Sequence, residues 1–201
     1  MRYVTHSHQH AEEVLASGRF QPLLREIIRV IEGISDENII EQFNSMKPAK
    51  SLSKAINVLL KVNLVREGWS AESAIFQGKE FKAKKWRLDF AKETISIEVA
   101  FNHGEAIAWN LLKPVMASQQ NHIKKAITTE VGVIICATKG LKVAGNFDNA
   151  VGEYEKFLRY LTPMQAVLPT PLLIIGLEMP KSFQVVGKKI NGKNIGAIER
   201  I

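Results

Sequence analysis

The stretch 85-KWRLDFAKETISIEVAF-101 decides how this chain is read. Ile95, Ile97, Val99 and Phe101 alternate with Thr94, Ser96, Glu98 and Ala100, the period of two that a half-buried strand requires. Just upstream, Trp86, Leu88 and Phe90 alternate in the same way with Arg87 and Asp89, and residues 91–93 supply the turn of a hairpin. If both apolar rows face one core, Asp89 and Glu98 share the opposite face. A turn centred between Lys92 and Glu93 sets Asp89 opposite Ser96 and diagonal to Glu98, about 7–8 Å away. Two carboxylates at that range can share a divalent cation; the simpler alternative is a pair of solvated acids on a polar strand face. Lys82, Lys84, Lys85, Arg87 and Lys92 crowd the same stretch, so acids and bases converge as they do where a metal ion and a phosphate are handled together.

Outward from the hairpin the texture changes at about residue 68. Before it the periodicity is helical: 10–16, then 20–34 with Leu23, Leu24, Ile27, Ile28 and Ile31 on one stripe, then 52–65 with Leu52, Ile56, Leu59 and Leu60 on another. Ser51 and Ser53 are candidate N-caps of the third helix, and Gly68 can end it. After it, short strands alternate with helices. The further strand candidates are 73-SAIFQG-78, 131-VGVIICA-137 and 172-LLIIGLEM-179, the last two apolar enough to be buried on both faces of a sheet. Helices are expected over 106–121, kinked or broken at Pro114, and over 148–161. The class is therefore α/β, with a mixed central sheet of about five strands flanked by helices and preceded by a helical N-terminal part.

The composition narrows the setting. With 201 residues, 46% of them hydrophobic, and neither a repeat nor a long linker, the chain fits one domain: a helical part over 1–68, an α/β core over 69–180 and a mobile basic tail over 181–201. The 27 Lys and Arg against 20 Asp and Glu leave +7, a balance suited to phosphate or an anionic surface. Lys181, Lys188, Lys189, Lys193 and Arg200 against Glu199 alone put +4 of that in the tail. The single cysteine, Cys136, cannot form an internal disulfide and reads as a small buried thiol, consistent with a reducing, cytoplasmic setting. No apolar run has the length of a membrane span, and Glu12, Glu13 and Glu26 interrupt what would have to be a signal peptide.

Asp89, then 97-IEVAF-101, resembles the catalytic strand pair of the BglII, BstYI and BamHI group of type II restriction endonucleases, within the PD-(D/E)XK nuclease superfamily. Three further blocks resemble that group in the same order: 56-INVLLKVNLVREGW-69, 107-IAWNLLKPVMA-117 and 131-VGVIICATKG-140. The likeness spans roughly residues 50 to 180. It implies a PD-(D/E)XK core in which Asp89 and Glu98 bind Mg²⁺, with Mn²⁺ able to substitute, and in which Glu72 matches a position that supplies an active-site Glu or Asn. It also implies Mg²⁺-dependent hydrolysis of double-stranded DNA at a short palindromic site by a homodimer, alongside a cognate DNA methyltransferase that is a genetic rather than a physical partner. Ala100 departs from the pattern, because relatives place Lys, Gln or Glu there. Either Glu72 or Glu105 takes over that role, the substrate phosphate assists, or the chain is an impaired or non-catalytic DNA-binding protein of the same fold. Another PD-(D/E)XK DNA nuclease, such as a repair or junction-cleaving enzyme, is the further alternative.

Two loops carry candidate DNA contacts. In 102-NHGEA-106 these are Asn102, which could instead cap a helix, and His103; in 138-TKGLKVAGNFDN-149 they are Asn146, Asp148 and Asn149, for which turns and caps are a sufficient explanation. Lys139, Lys142 and the tail lysines are suited to phosphates. His6, His8 and His10 have the spacing of a strand-borne metal site but are read as incidental, and His122 stands apart.

Overall fold

In the computed structural model, which describes residues 1–46, 48–118, 124–190 and 192–201, a six-stranded sheet lies between two helical layers. The chain opens with β1 (Tyr3–His8), α1 (Ala11–Leu15), α2 (Phe20–Gly33), α3 (Asp36–Ser45) and α4 (Ser53–Arg66). There follow β2 (Ser70–Ala74), β3 (Arg87–Lys92), β4 (Ile95–Ala100), α5 (Ile107–Ser118) and β5 (Val131–Ala137). After them come α6 (Lys139–Ala144), α7 (Tyr154–Met164), β6 (Leu172–Leu177) and a terminal hairpin of β7 (Phe183–Ile190) and β8 (Lys193–Arg200). The strand order is β1-β6-β5-β4-β3-β2, with β4, β5 and β6 parallel and β1, β3 and β2 antiparallel to their neighbours. The class is α/β, with a mixed sheet of six strands rather than about five.

β5 and β6 are apolar throughout because both of their faces are covered. Val133, Ile135 and Leu173 pack with Leu15, Ile27 and Ile56 from the α1, α2 and α4 layer, while Ile134, Cys136 and Ile174 pack with Leu111 and Phe157 from α5 and α7. Burial pushes the Cys136 thiol up, as suits an inert buried sulfur. α5 runs unbroken through Pro114, where the sequence predicts a kink or break. The reason lies on β5. A Cβ at Gly132 would come within 2.6 Å of both Pro114 Cβ and Leu172 Cδ2, so the glycine makes room for the proline ring against the sheet. The predicted end of that helix, 119–121, lies outside the described residues, as does His122.

Several elements differ from expectation. The helical N-terminal part contains β1, an edge strand paired with β6, and the basic tail is a hairpin whose Phe183 and Val185 are buried in the main core. The 138–149 segment holds α6, capped by the Thr138 hydroxyl, which accepts from the Leu141 N–H at 3.2 Å. α7 begins at Tyr154, not near 148, and β2 begins three residues ahead of the expected strand. Leu52, without a side-chain hydrogen bond, occupies the N-cap of α4, and the Ser51 and Ser53 hydroxyls bond one another at 3.0 Å instead. Gly68 does end α4, at a φ of +86° that favours glycine. Among the described residues no helix is long and apolar enough to cross a membrane.

Candidate active site

The site is built where β3 and β4 part. They pair through Phe90–Ile97, Ala91–Ser96 and Lys92–Ile95, so the turn is Glu93-Thr94, with Glu93 in the left-handed region at φ +50°. That register is one step from the sequence expectation and brings Asp89 in line with Glu98 instead of diagonal to it. Beyond Phe90 the two carboxylates take over from the ladder. The Val99 N–H donates to Asp89 Oδ2 at 2.7 Å, and the Asp89 N–H donates to Glu98 Oε1 at 3.2 Å. Each acid therefore satisfies a backbone donor of the opposite strand, which fixes both side chains relative to one another.

Glu72 belongs to the same row. Ala71 pairs with Phe90 and Ser73 with Leu88, which places Glu72 across from Asp89, in the left-handed region at φ +54°. It is exposed, and with Asp89, Asn57, Lys61, Ala71 and Val99 it lines a cleft of about 230 Å³. Among the described residues no three His, Cys, Asp or Glu side chains converge as a ready metal cluster, so the arrangement is a carboxylate pair with a third acid at the rim.

Electrostatics set these acids apart from ordinary surface carboxylates. Burial raises the Asp89 pKa, and Glu72 adds to the rise, against the Val99 N–H, Lys113 and Lys61, which lower it. Glu98, only 2% exposed, is pushed up to about 8 by burial and then by the Asp89 charge, with Lys113 opposing. Two like charges brought together out of water are destabilised unless a cation compensates them. Hard oxygen donors of that kind fit a divalent ion such as Mg²⁺.

Sequence reasoning missed Lys113. It sits on α5, and its Nζ donates to Glu98 Oε2 and to the Arg87 carbonyl oxygen, the latter at 3.1 Å. Its position in an apolar helix, 107-IAWNLLKPVMA-117, was the available signal, because a lone lysine at a buried helix position needs a partner. Ala100 is buried against α5 and α7, and Glu105 is exposed. Lys92, grouped with the site by sequence, instead points away to Glu26, at 2.7 and 2.9 Å, and to the Glu67 carbonyl oxygen at 2.8 Å.

The two candidate recognition loops meet. His103 bridges Val151, the Gly104 N–H donates to the Ala150 carbonyl at 2.6 Å, and the Gly152 N–H donates to the Asn102 carbonyl at 3.0 Å. Both leave the carboxyl end of the parallel strands β4 and β5, the edge at which open α/β sheets bind ligands. Asn102 and His103 are exposed; Asn102 does not cap a helix and accepts from the Asn110 amide at 3.0 Å. Asn149 and Lys139 are exposed as well, with the Lys139 N–H donating to the Glu155 carboxylate. Asn146 donates to the Lys50 carbonyl oxygen at 2.9 Å. Asp148 accepts from the Ala150 N–H at 3.0 Å, which holds its carboxyl below the usual range. Lys142 is engaged by the Asn149 and Val151 carbonyls and the Glu153 carboxylate, all within 2.9 Å, and so closes the loop rather than facing solvent. In the histidine series, His8 is buried against the Leu168 carbonyl oxygen at 2.8 Å, whereas His6 and His10 are exposed.

Comparison with known proteins places the fold and the family. A crystal structure of the restriction endonuclease BglII complexed with a DNA 16-mer superposes with a TM-score of 0.70 at 17% identity, covering 100% of each chain. Free BglII superposes with a TM-score of 0.55 at 16% identity, covering 100% of this chain and 93% of that one. No curated protein matches in a sequence search. The family model described as restriction endonuclease BglII/BglIII matches residues 3–177, and the chain belongs to that family.

Proposed function

We propose that this protein is a type II restriction endonuclease that hydrolyses one phosphodiester in each strand of a short palindromic DNA site, using Mg²⁺ held by Asp89 and Glu98. The observation that carries the reading is the mutually repelling pair of half-buried Asp89 and buried Glu98 at the parting of β3 and β4, in a chain of a restriction endonuclease family. Mg²⁺, or Mn²⁺ in its place, would polarise the scissile phosphate and lower the pKa of the attacking water. The chain's own residues do the rest. The Val99 N–H fixes one Asp89 oxygen, and the Asp89 N–H orients Glu98. Glu72 stands at the cleft rim as the third candidate catalytic acid.

Asn102, His103, Asn146, Asp148 and Asn149 are the proposed base-reading set, gathered where the 102–104 and 146–152 loops join, and Lys139 is a proposed phosphate contact. BglII crystallises in complex with a DNA 16-mer, and double-stranded DNA is the proposed partner here too. Two-fold symmetry of the site calls for a homodimer, which sedimentation of the purified protein tests. We take the chain as one cytoplasmic endonuclease domain, its core over 69–180 and the flanking 1–68 and 181–201 segments packed on it, working beside a cognate methyltransferase. Plasmid DNA with Mg²⁺ should give discrete fragments. Asp89→Asn and Glu98→Gln should abolish cutting while duplex binding with Ca²⁺ persists, and cutting by either variant at the unsubstituted rate would sink the assignment. Binding without cutting by the unsubstituted protein would mark the non-catalytic alternative, and structure-dependent nicking would mark a repair-type nuclease.

A further inference from the structure

Lys113 is a buried cation in a helix whose other buried side chains are apolar apart from Asn110, with 8% of its surface exposed. An ammonium in such a place is costly unless its charge and its protons are matched. Both matches come from the parting strands: Glu98 of β4 supplies the charge and the Arg87 carbonyl, at the start of β3, a second acceptor at 3.1 Å. One Nζ thus ties the two strands together from the α5 side, two residues from Asp89 on one strand and at the acid itself on the other. Ala100 lies two positions beyond Glu98, on the same face of β4. It packs with Ile107 and Leu111 of α5 and offers only a methyl group. The polar group on this face of the site therefore arrives from the helix, 15 residues along the chain from Glu98.

We propose that Lys113 is the positioning residue of the Asp89–Glu98 site, acting from α5 where position 100 of β4 brings no polar atom. It holds Glu98 Oε2, so that Oε1 stays on the Asp89 N–H and the two carboxylates keep their mutual setting. Its bond to Arg87 fixes how far the strands part. The proposal rests on the nuclease reading above and adds a residue to it.

The test uses the full chain in four forms beside the unsubstituted protein: Lys113→Ala, Glu98→Gln, their combination, and Lys113→Ala with Ala100→Lys. Plasmid cleavage with Mg²⁺, duplex retention with Ca²⁺ and metal-free thermal unfolding are measured on each. Lys113→Ala should cut at least about 100-fold more slowly while duplex retention changes less than about threefold. Ala100→Lys should return at least about tenfold of that loss, because a lysine two residues past Glu98 enters the same face from the strand. A lysine that served only to hold α5 against the sheet could not be replaced from another element. Cleavage by Lys113→Ala within about threefold of the unsubstituted rate overturns the proposal, and so does a transposed variant that melts normally and regains nothing. Should Lys113→Ala not fold, Lys113→Arg is read instead, since its planar fork places charge differently from a point ammonium. Slow cutting with normal melting then supports the proposal, and full activity overturns it. If the unsubstituted protein does not cut DNA, it is the nuclease reading that fails, and the hold on Glu98 is judged by melting alone. Lys113→Ala should then lower the melting temperature by several degrees, and the drop should shrink in the Glu98→Gln background, where only the bond to the Arg87 carbonyl is left to lose; additive losses overturn it.

Discussion

β4 is held differently along its two edges. Toward β5 it pairs at six successive positions, from Ile95–Val131 to Ala100–Cys136, and the strands beyond are buried on both faces. Toward β3 it pairs at three, from Lys92–Ile95 to Phe90–Ile97, and then Asp89 and Glu98 stand in for the missing ladder. A complete ladder satisfies its own polar groups and closes the space between strands, whereas a parted one needs substitutes and leaves room. Stability is thus concentrated on one side of a single strand and candidate chemistry on the other. Burial raises both acids in pKa, and a neighbouring carboxylate adds to the rise at each, Glu72 at Asp89 and Asp89 at Glu98.

The closed side should break most dramatically. Gly132→Val would drive a Cβ to within 2.6 Å of Pro114 and Leu172 at once, and neither the proline ring nor the strand behind it can withdraw cheaply. We expect a loss of about 3 kcal/mol or more, seen in urea unfolding as a lower midpoint. A variant as stable as the unsubstituted protein would show that α5 is not seated on β5 as described.

The parted side is tested by pH rather than volume. In the metal-free protein Glu98 titrates near 8 when folded and at its ordinary 4.5 when unfolded, facing Asp89 as the like charge and Lys113 as the opposite one. A raised carboxyl binds more protons folded than unfolded, so its stabilising contribution is complete below the unfolded value and is lost as pH climbs through the folded one. Relative to Glu98→Gln, the unsubstituted protein should therefore lose on the order of 2 kcal/mol between pH 5 and pH 8, within the ceiling of about 1.4 kcal/mol per pH unit. Unfolding curves for the two proteins that shift in parallel across this window would contradict the upward shift of the buried Glu98 carboxyl.

The same contrast explains what the sequence could tell. The 131–137 and 172–177 strands were legible because burial on both faces leaves an unbroken apolar run, whereas alternation only put Asp89 and Glu98 on one face, and the crowding bases and the family resemblance singled them out. Their register was not, since a hairpin turn can shift by one residue without altering the alternation within either strand. β1 was lost among helical segments because an edge strand with exposed Val4, Thr5 and His6 has no one-sided apolar pattern. The terminal hairpin was masked by its lysines, although Phe183 and Val185 alternate and an Asn-Gly dipeptide stands at 191–192. Lys113 was visible as a lone lysine in an apolar helix, but its partner was not, because that is set by how α5 crosses the sheet, which no local pattern encodes.

The smallest expected effect lies at the turn end of β3, where the hairpin is fastened from outside. Lys92 binds both Glu26 oxygens and the Glu67 carbonyl, and Glu26 also accepts from the Trp69 indole N–H at 3.1 Å. This joins the turn to α2 and to the end of α4 without touching either carboxylate of the candidate site. Lys92→Met keeps the apolar stem while removing the charged bonds of a half-buried group, so a cost of about 1–2 kcal/mol is expected in urea unfolding. Because the three-pair ladder that sets the Asp89–Glu98 register remains, cleavage by the folded variant should stay within about threefold of the unsubstituted rate. A much larger loss of cutting with little loss of stability would mean that the turn, and not the fork, fixes the geometry of the two acids.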